Sequence, residues 1–145
     1  SDYAINKPIM TSGIEGDDIA NGFKETYNDL LSQGHKLVLI YPVPEINKYV
    51  PRELKKKIYD DSFKLELDYI DFEARTMSTF QMLDSLDSEN IHRVYPHKLL
   101  CNNTSGKCIT SQNNNILYTD FDHLSNHGVE LISPSILQLP VFRED

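Results

Sequence analysis

Apolar positions recur at helical spacing early in the chain. Ile19, Phe23, Tyr27, Leu30 and Leu31 fall on one face from Asp17 or Asp18 onward, and Gly34 stands where a helix would end. The spacing predicts an amphipathic helix that finishes in "SQGHK". The next run, "KLVLIYPV", is continuous instead of alternating, the pattern of a parallel strand covered on both faces. Pro42 and Pro44 stop its ladder at "PVPE". In α/β sheets this carboxyl end of a strand is where ligands sit.

Farther along, Pro51 suits the first helical position of "VPRELKKKIYDD", read as a short amphipathic helix. Between Leu67 and Leu86, the residues Tyr69, Phe72, Met77, Phe80 and Leu83 form a rough helical stripe, which predicts a second crossover helix. "IHRVYP" reads as a short strand, "HKLLCNNTSGKCITSQNNN" as a loop and "ILYTD" as a brief strand. From about Ser125 to Leu139 the pattern is again helical, with Pro134 starting or kinking the last part. Alternating helix and strand signals predict an α/β layer fold. No repeat and no linker divides the chain, so residues 1–145 read as a single domain.

Composition narrows what such a domain can do. Its 145 residues can bury one ordinary core, and 39% apolar against 25% charged residues is a globular balance. The chain carries 14 basic and 22 acidic residues, a net charge of −8, and its one basic run is Lys55-Lys56-Lys57. That balance argues against nucleic acid as a partner. The longest apolar run, Leu37 to Val43, is far short of the roughly 20 residues that cross a bilayer. The N-terminus has no signal-peptide anatomy, so an export address, if there is one, is expected outside these residues.

Three features bear on chemistry. Cys101 and Cys108 lie in "LCNNTSGKC". Two cysteines fall short of a zinc site, and His97 stands at no finger spacing, which leaves a disulfide or two free thiols. A bridge would require the polar, glycine-bearing loop to fold back on itself and would imply an oxidising compartment. Asn102-Asn103-Thr104 matches a glycosylation acceptor, a pattern with a high chance rate.

The second feature is "YTDFDHLSNHG", Tyr118 to Gly128. Two residues separate Asp120 from His123 just after a strand, so the carboxylate can fold back onto the imidazole, orient it and support the imidazolium formed on proton uptake. Asp122, in an extended segment, would point away. Alternatively, Asp120 caps the helix that follows and His123 is a surface residue. His123 and His127 could face one way toward a metal, but a third ligand is missing and Gly128 weakens the helix there. The third feature is an absence. No glycine-aspartate-serine or G-x-S-x-G sequence is present, "TSG" at Thr11 to Gly13 reads as a generic loop, and "GDD" at Gly16 to Asp18 has no hydroxyl.

Taken together, "VPE" after the strand, "YPHKLLC" with the later "KC", and "ILYTDFDHLSNHG" resemble the second half of an SGNH-type hydrolase domain. The resemblance is to the SGNH domains fused behind bacterial membrane acyltransferase domains of the acyltransferase-3 kind. It runs from about Ile19 to Leu139 and is most specific over Tyr95 to Gly128.

The resemblance implies a three-layer α/β/α flavodoxin-like sheet, incomplete because the first strand and the nucleophile block are not found. It makes His123 the general base and Asp120 its orienter, and it makes Cys101 and Cys108 a structural disulfide. It implies no cofactor and no metal. The implied function is a serine esterase or O-acyltransferase acting on acyl, chiefly acetyl, esters of a surface polysaccharide such as lipopolysaccharide. The implied partner is a membrane acyltransferase domain in the same polypeptide, in the periplasm and tethered to the inner membrane.

Read this way, the chain is a carboxyl-terminal piece that supplies the Asp-His pair without the nucleophile. Such a piece is expected to self-associate through an exposed sheet edge. The competing expectation is a non-catalytic module that binds glycan or presents substrate to the membrane enzyme.

Overall fold

The computed structural model describes residues 14–143. The "TSG" loop expected at Thr11 to Gly13 lies outside the described residues. Helix α1 spans Ile14–Ser32, so the predicted helix forms but begins before Asp17, and it takes in the "GDD" segment. Gly34 ends it at φ +84, a conformation that costs glycine no Cβ clash. The Gly34 and His35 N–H groups donate back to the carbonyls of Leu31 and Leu30, which is the paired closure of a Schellman end. Among the described helices, none is long and apolar enough to cross a membrane.

The described residues form two compact units. The first contains residues up to Tyr41 together with Glu73–Val94. Here β1 (Leu37–Ile40) pairs in parallel with β3 (Ile91–Val94), Leu37 opposite Ile91 through to Ile40 opposite Val94. The continuous apolar run did predict a parallel strand. Full cover does not follow, because Leu39 is buried while Ile40 is 54% exposed. The parallel sheet has only these two strands among the described residues, so each strand keeps an open edge. Helix α3 (Tyr69–Asp84) is the crossover helix of the sequence reading. Its Phe80 meets the buried Tyr41 ring edge-on at 4.9 Å, and the Tyr41 hydroxyl donates to Asp84 Oδ1 at 2.6 Å.

The second unit contains Pro42–Phe72 and the residues from Tyr95 onward. Helix α2 (Val50–Leu54) carries Pro51 in its first turn and continues as a 3-10 turn, Lys55–Ile58. Strand β2 (Glu66–Asp68) is the edge of an antiparallel sheet in the order β2-β5-β4, with β4 at Cys101–Asn102 and β5 at Lys107–Ile109. The short helix α4 (His97–Leu100) precedes β4, and a second hairpin joins β6 (Ser111–Gln112) to β7 (Asn115–Ile116). Helix α5 covers Asn126–Leu137 with Pro134 inside it.

The long segment read as a loop is therefore a corrected expectation, since it holds α4, strands β4, β5 and β6 and the first residue of β7. Strands of two or three residues are too short to show a period. Cross-strand chemistry holds this one together. Cys101 and Cys108 face each other in the β4/β5 register and are joined by a disulfide. Between them Asn102 Oδ1 accepts the N–H groups of Thr104 and Ser105, and Gly106 turns at φ +66. "ILYTD" contributes only Ile116 to β7, while Tyr118 makes an isolated bridge to Leu124. Helices, a parallel pair and short antiparallel strands make the chain α/β in class, compatible with an incomplete layered fold.

Candidate functional site

Two buried residues carry the site. Leu117 and Tyr118 are 2% and 1% exposed, and the Leu117 N–H donates to the Thr110 carbonyl at 2.9 Å. The chain then reverses tightly. Tyr118 bridges Leu124, and the Thr119 N–H donates to the His123 carbonyl at 2.8 Å. Residues 119–123 are thus a closed turn and not an extended segment.

Inside this turn Asp120 Oδ1 accepts the N–H groups of Asp122 at 2.9 Å and His123 at 2.8 Å. Its other oxygen, Oδ2, lies 2.8 Å from His123 Nδ1. The carboxylate orders the turn and the imidazole together, through the local bonding that makes aspartate a turn residue. Asp122 does not point away as an extended segment would have it. Its Oδ1 comes within 3.0 Å of the same Nδ1, without forming a hydrogen bond.

The charges follow from these contacts. The backbone N–H groups of Asp122 and His123, then the imidazole, hold Asp120 well below the usual carboxylate range. Burial pushes Asp122 up, and the neighbouring Asp120 adds to the effect. The hydrogen bond to Asp120, and then the charges of both carboxylates, raise His123. The His123 side chain is 75% exposed, so solvent screens much of this. With Nδ1 engaged by Asp120, the ring presents Nε2, which has no partner among the described residues, as its proton acceptor.

Two further segments hold the turn in place. The loop after β1 lies along it, with the Ile46 N–H donating to the Phe121 carbonyl at 2.8 Å and the Val50 N–H to the Asp120 carbonyl at 3.2 Å. This gives the "VPE" stretch a structural tie to the histidine turn, and Pro44 within it is fully buried. On the other side Ser125, not Asp120, caps α5. Ser125 Oγ accepts the Gly128 N–H at 3.2 Å and donates to the Ile116 carbonyl at 2.6 Å. Capping by Asp120 is therefore set aside.

Gly128 closes the block that carries the resemblance, but sequence reasoning gave it no packing role. A Cβ there would stand 2.3 Å from the Leu117 carbonyl oxygen, so α5 approaches the buried segment only because the position is glycine. The serine-x-x-glycine spacing was the available signal.

His127 pairs with Glu130 at 3.3 Å on the exposed side of α5. Asp120, Asp122 and His123 each bring one potential ligand atom within 4.8 Å of the others. Exposed carboxylates so placed assign no cation by themselves. Among the described residues no hydroxyl and no thiol is hydrogen-bonded to the His123 ring. The arrangement is an imidazole held by a carboxylate through Nδ1, with Nε2 open among the described residues.

A family model described as the SGNH domain fused to AT3 domains matches residues 2–138. No curated protein and no solved structure matches significantly.

Proposed function

The chain belongs to the family of SGNH domains fused to AT3 domains, and from that premise we propose that it supplies the acid-base half of a serine esterase or O-acyltransferase. The carrying observation is the 2.8 Å contact between Asp120 Oδ2 and His123 Nδ1, which leaves Nε2 free to take a proton. The family's association with AT3 domains supports an acyltransferase setting and a membrane-tethered polypeptide. Acetyl esters of a surface polysaccharide and a periplasmic location are the finer parts of the proposal.

In this mechanism Nε2 takes the proton of a serine hydroxyl, and the serine oxygen attacks the acyl carbonyl. The imidazolium, stabilised by Asp120, then protonates the leaving alkoxide, and an acyl-enzyme remains. Water or a sugar hydroxyl, deprotonated by the same nitrogen, takes the acyl group in the second half. The 145 residues carry no glycine-aspartate-serine block, so the serine is assigned to another part of the polypeptide. Residues 1–145 act in this proposal as one domain, the carboxyl-terminal portion of the catalytic unit.

The exposed His123 ring, with no hydroxyl bonded to it among the described residues, favours a second reading in which the chain is a non-catalytic module that binds glycan or presents substrate. The two separate in the full-length polypeptide. Labelling by a serine-directed fluorophosphonate and hydrolysis of an aryl acetate should both fall at least ~100-fold in His123→Ala, within the range for losing a general base. Equal labelling and hydrolysis in wild type and variant would leave the module.

A further inference from the structure

A second feature of the carboxyl-terminal unit is a cleft beside the β6/β7 hairpin. It is lined by Lys57 and Lys64 together with Ser111, Gln112, Asn113 and Asn114. We propose that this cleft binds the acidic group of a saccharide, a sugar carboxylate or sugar phosphate. The proposal deepens the acyl-transfer reading by naming its carbohydrate as acidic, and it rests on that reading only for the use made of the bound sugar.

Charge is the first support. In a chain with net charge −8, two lysines converge on one small cleft and neither has an ion-pair partner among the described residues. Lys56 and Lys107, by contrast, are paired with Glu53 and Asp68. Glu66 also faces the cleft, which leaves a net positive site and a carboxylate able to accept a sugar hydroxyl. The neutral amide and hydroxyl side chains that line the same cleft can donate to and accept from the remaining hydroxyls. Leu65 and Ile109 contribute apolar surface for the C–H face of a pyranose.

Backbone conformation is the second support. Asn113 at φ 49 and Asn114 at φ 64 are the non-glycine residues with positive φ among the described residues. They form the two-residue loop between Gln112 and Asn115, a place where Asn-Gly is the least strained choice. Asparagine at 114 forgoes that relief and puts an amide at the cleft. Two of the lining segments are fixed to each other, because the buried Thr110 hydroxyl donates to the Leu65 carbonyl at 2.6 Å and Glu66 pairs with Ile109 across the sheet. At about 230 Å³ the cleft is below the ~300–1,000 Å³ of a typical drug-sized site. It suits one ring or one charged group of a longer chain.

The test is an amide chemical-shift titration of the 145-residue protein with trigalacturonate, glucose 6-phosphate, glucose and maltotriose. The expected result is saturable shifts at residues 64–66 and 109–114 with one or both acidic sugars and none with the neutral ones. Response to trigalacturonate alone assigns a carboxylate, and response to glucose 6-phosphate alone assigns a phosphate. Lys57→Gln and Lys64→Gln should each weaken binding about fivefold. Asn114→Gly, which suits the turn, should weaken binding without loss of fold. His123→Ala should bind as wild type does, so a failure of the catalytic reading does not mask this site. Shifts that are absent from the cleft, or equal for acidic and neutral sugars, overturn the proposal.

Discussion

Replacing Gly128 with alanine should destabilise the chain, although the same change in an open helix does the opposite. In a helix interior Gly→Ala is worth about 1 kcal/mol of added stability. At Gly128, in the first turn of α5, the new Cβ would lie 2.3 Å from the Leu117 carbonyl oxygen and 2.9 Å from Leu124 Cδ2. The leucine side chain can yield. The carbonyl cannot, because it accepts the Ser125 N–H at 2.9 Å and the Leu117 N–H is itself tied to Thr110.

The helix must therefore retreat by about 1 Å to reach an ordinary contact, which stretches the Gly128–Ser125 cap. Overpacking of this kind costs about 1–3 kcal/mol, and a weakened cap adds about 1 kcal/mol. After the propensity gain of about 1 kcal/mol, the net loss is about 1–3 kcal/mol. Urea denaturation with an unchanged slope measures it. Gly22→Ala in α1 is the control, since a Cβ there meets nothing within 4 Å, and it should gain up to ~1 kcal/mol. If Gly128→Ala matches wild type or gains like the control, the close approach of α5 to Leu117 is refuted.

The Cys101–Cys108 bridge spans a sequence separation of 7, so the double alanine variant should lose about 2–3 kcal/mol in urea denaturation. In wild type, alkylation without reductant should leave the mass unchanged, and addition of two labels would contradict the bridge. Stability should also depend on pH in two windows. The depressed Asp120 contributes stability that is present above its unfolded value of about 3.9 and lost as pH falls through its lower folded value. The raised His123 contributes stability that is complete below about 6.5 and lost as pH rises through its higher folded value. Urea midpoints across pH in wild type and Asp120→Asn should show both dependences weakened in the variant, and equal profiles would contradict the pairing.

The parts that were legible in the sequence are those with enough residues to show a period. The face of α1 and its Gly34 end, the run of β1 and the stripe of α3 each span several apolar positions, and all three elements form. Cover was harder to read than element type. A continuous apolar run says that a strand can be buried on both faces, while β1 buries Leu39 and leaves Ile40 on the opposite face 54% exposed.

The Cys101–Cys108 bridge was legible and forms, while the strands that carry it escaped because they are two and three residues long. At the site, spacing alone put Asp120 within reach of His123. It could not tell which residue capped α5, because that depends on where Ser125 Oγ meets the Ile116 carbonyl. Asp122 was misplaced by assuming extended backbone where Asp120 Oδ1 folds the chain into a turn.

The account stands most directly on the proton-accepting role of His123, and the pH dependence of kcat/KM for aryl-acetate hydrolysis by the full-length polypeptide measures it. The acid limb should lie above the ordinary imidazole value, because Asp120 and Asp122 raise His123. Asp120→Asn should move that limb to lower pH and lower the plateau by about 10²–10⁴-fold. An acid limb and plateau unchanged by Asp120→Asn would contradict the assignment of Asp120 and His123 as the catalytic pair.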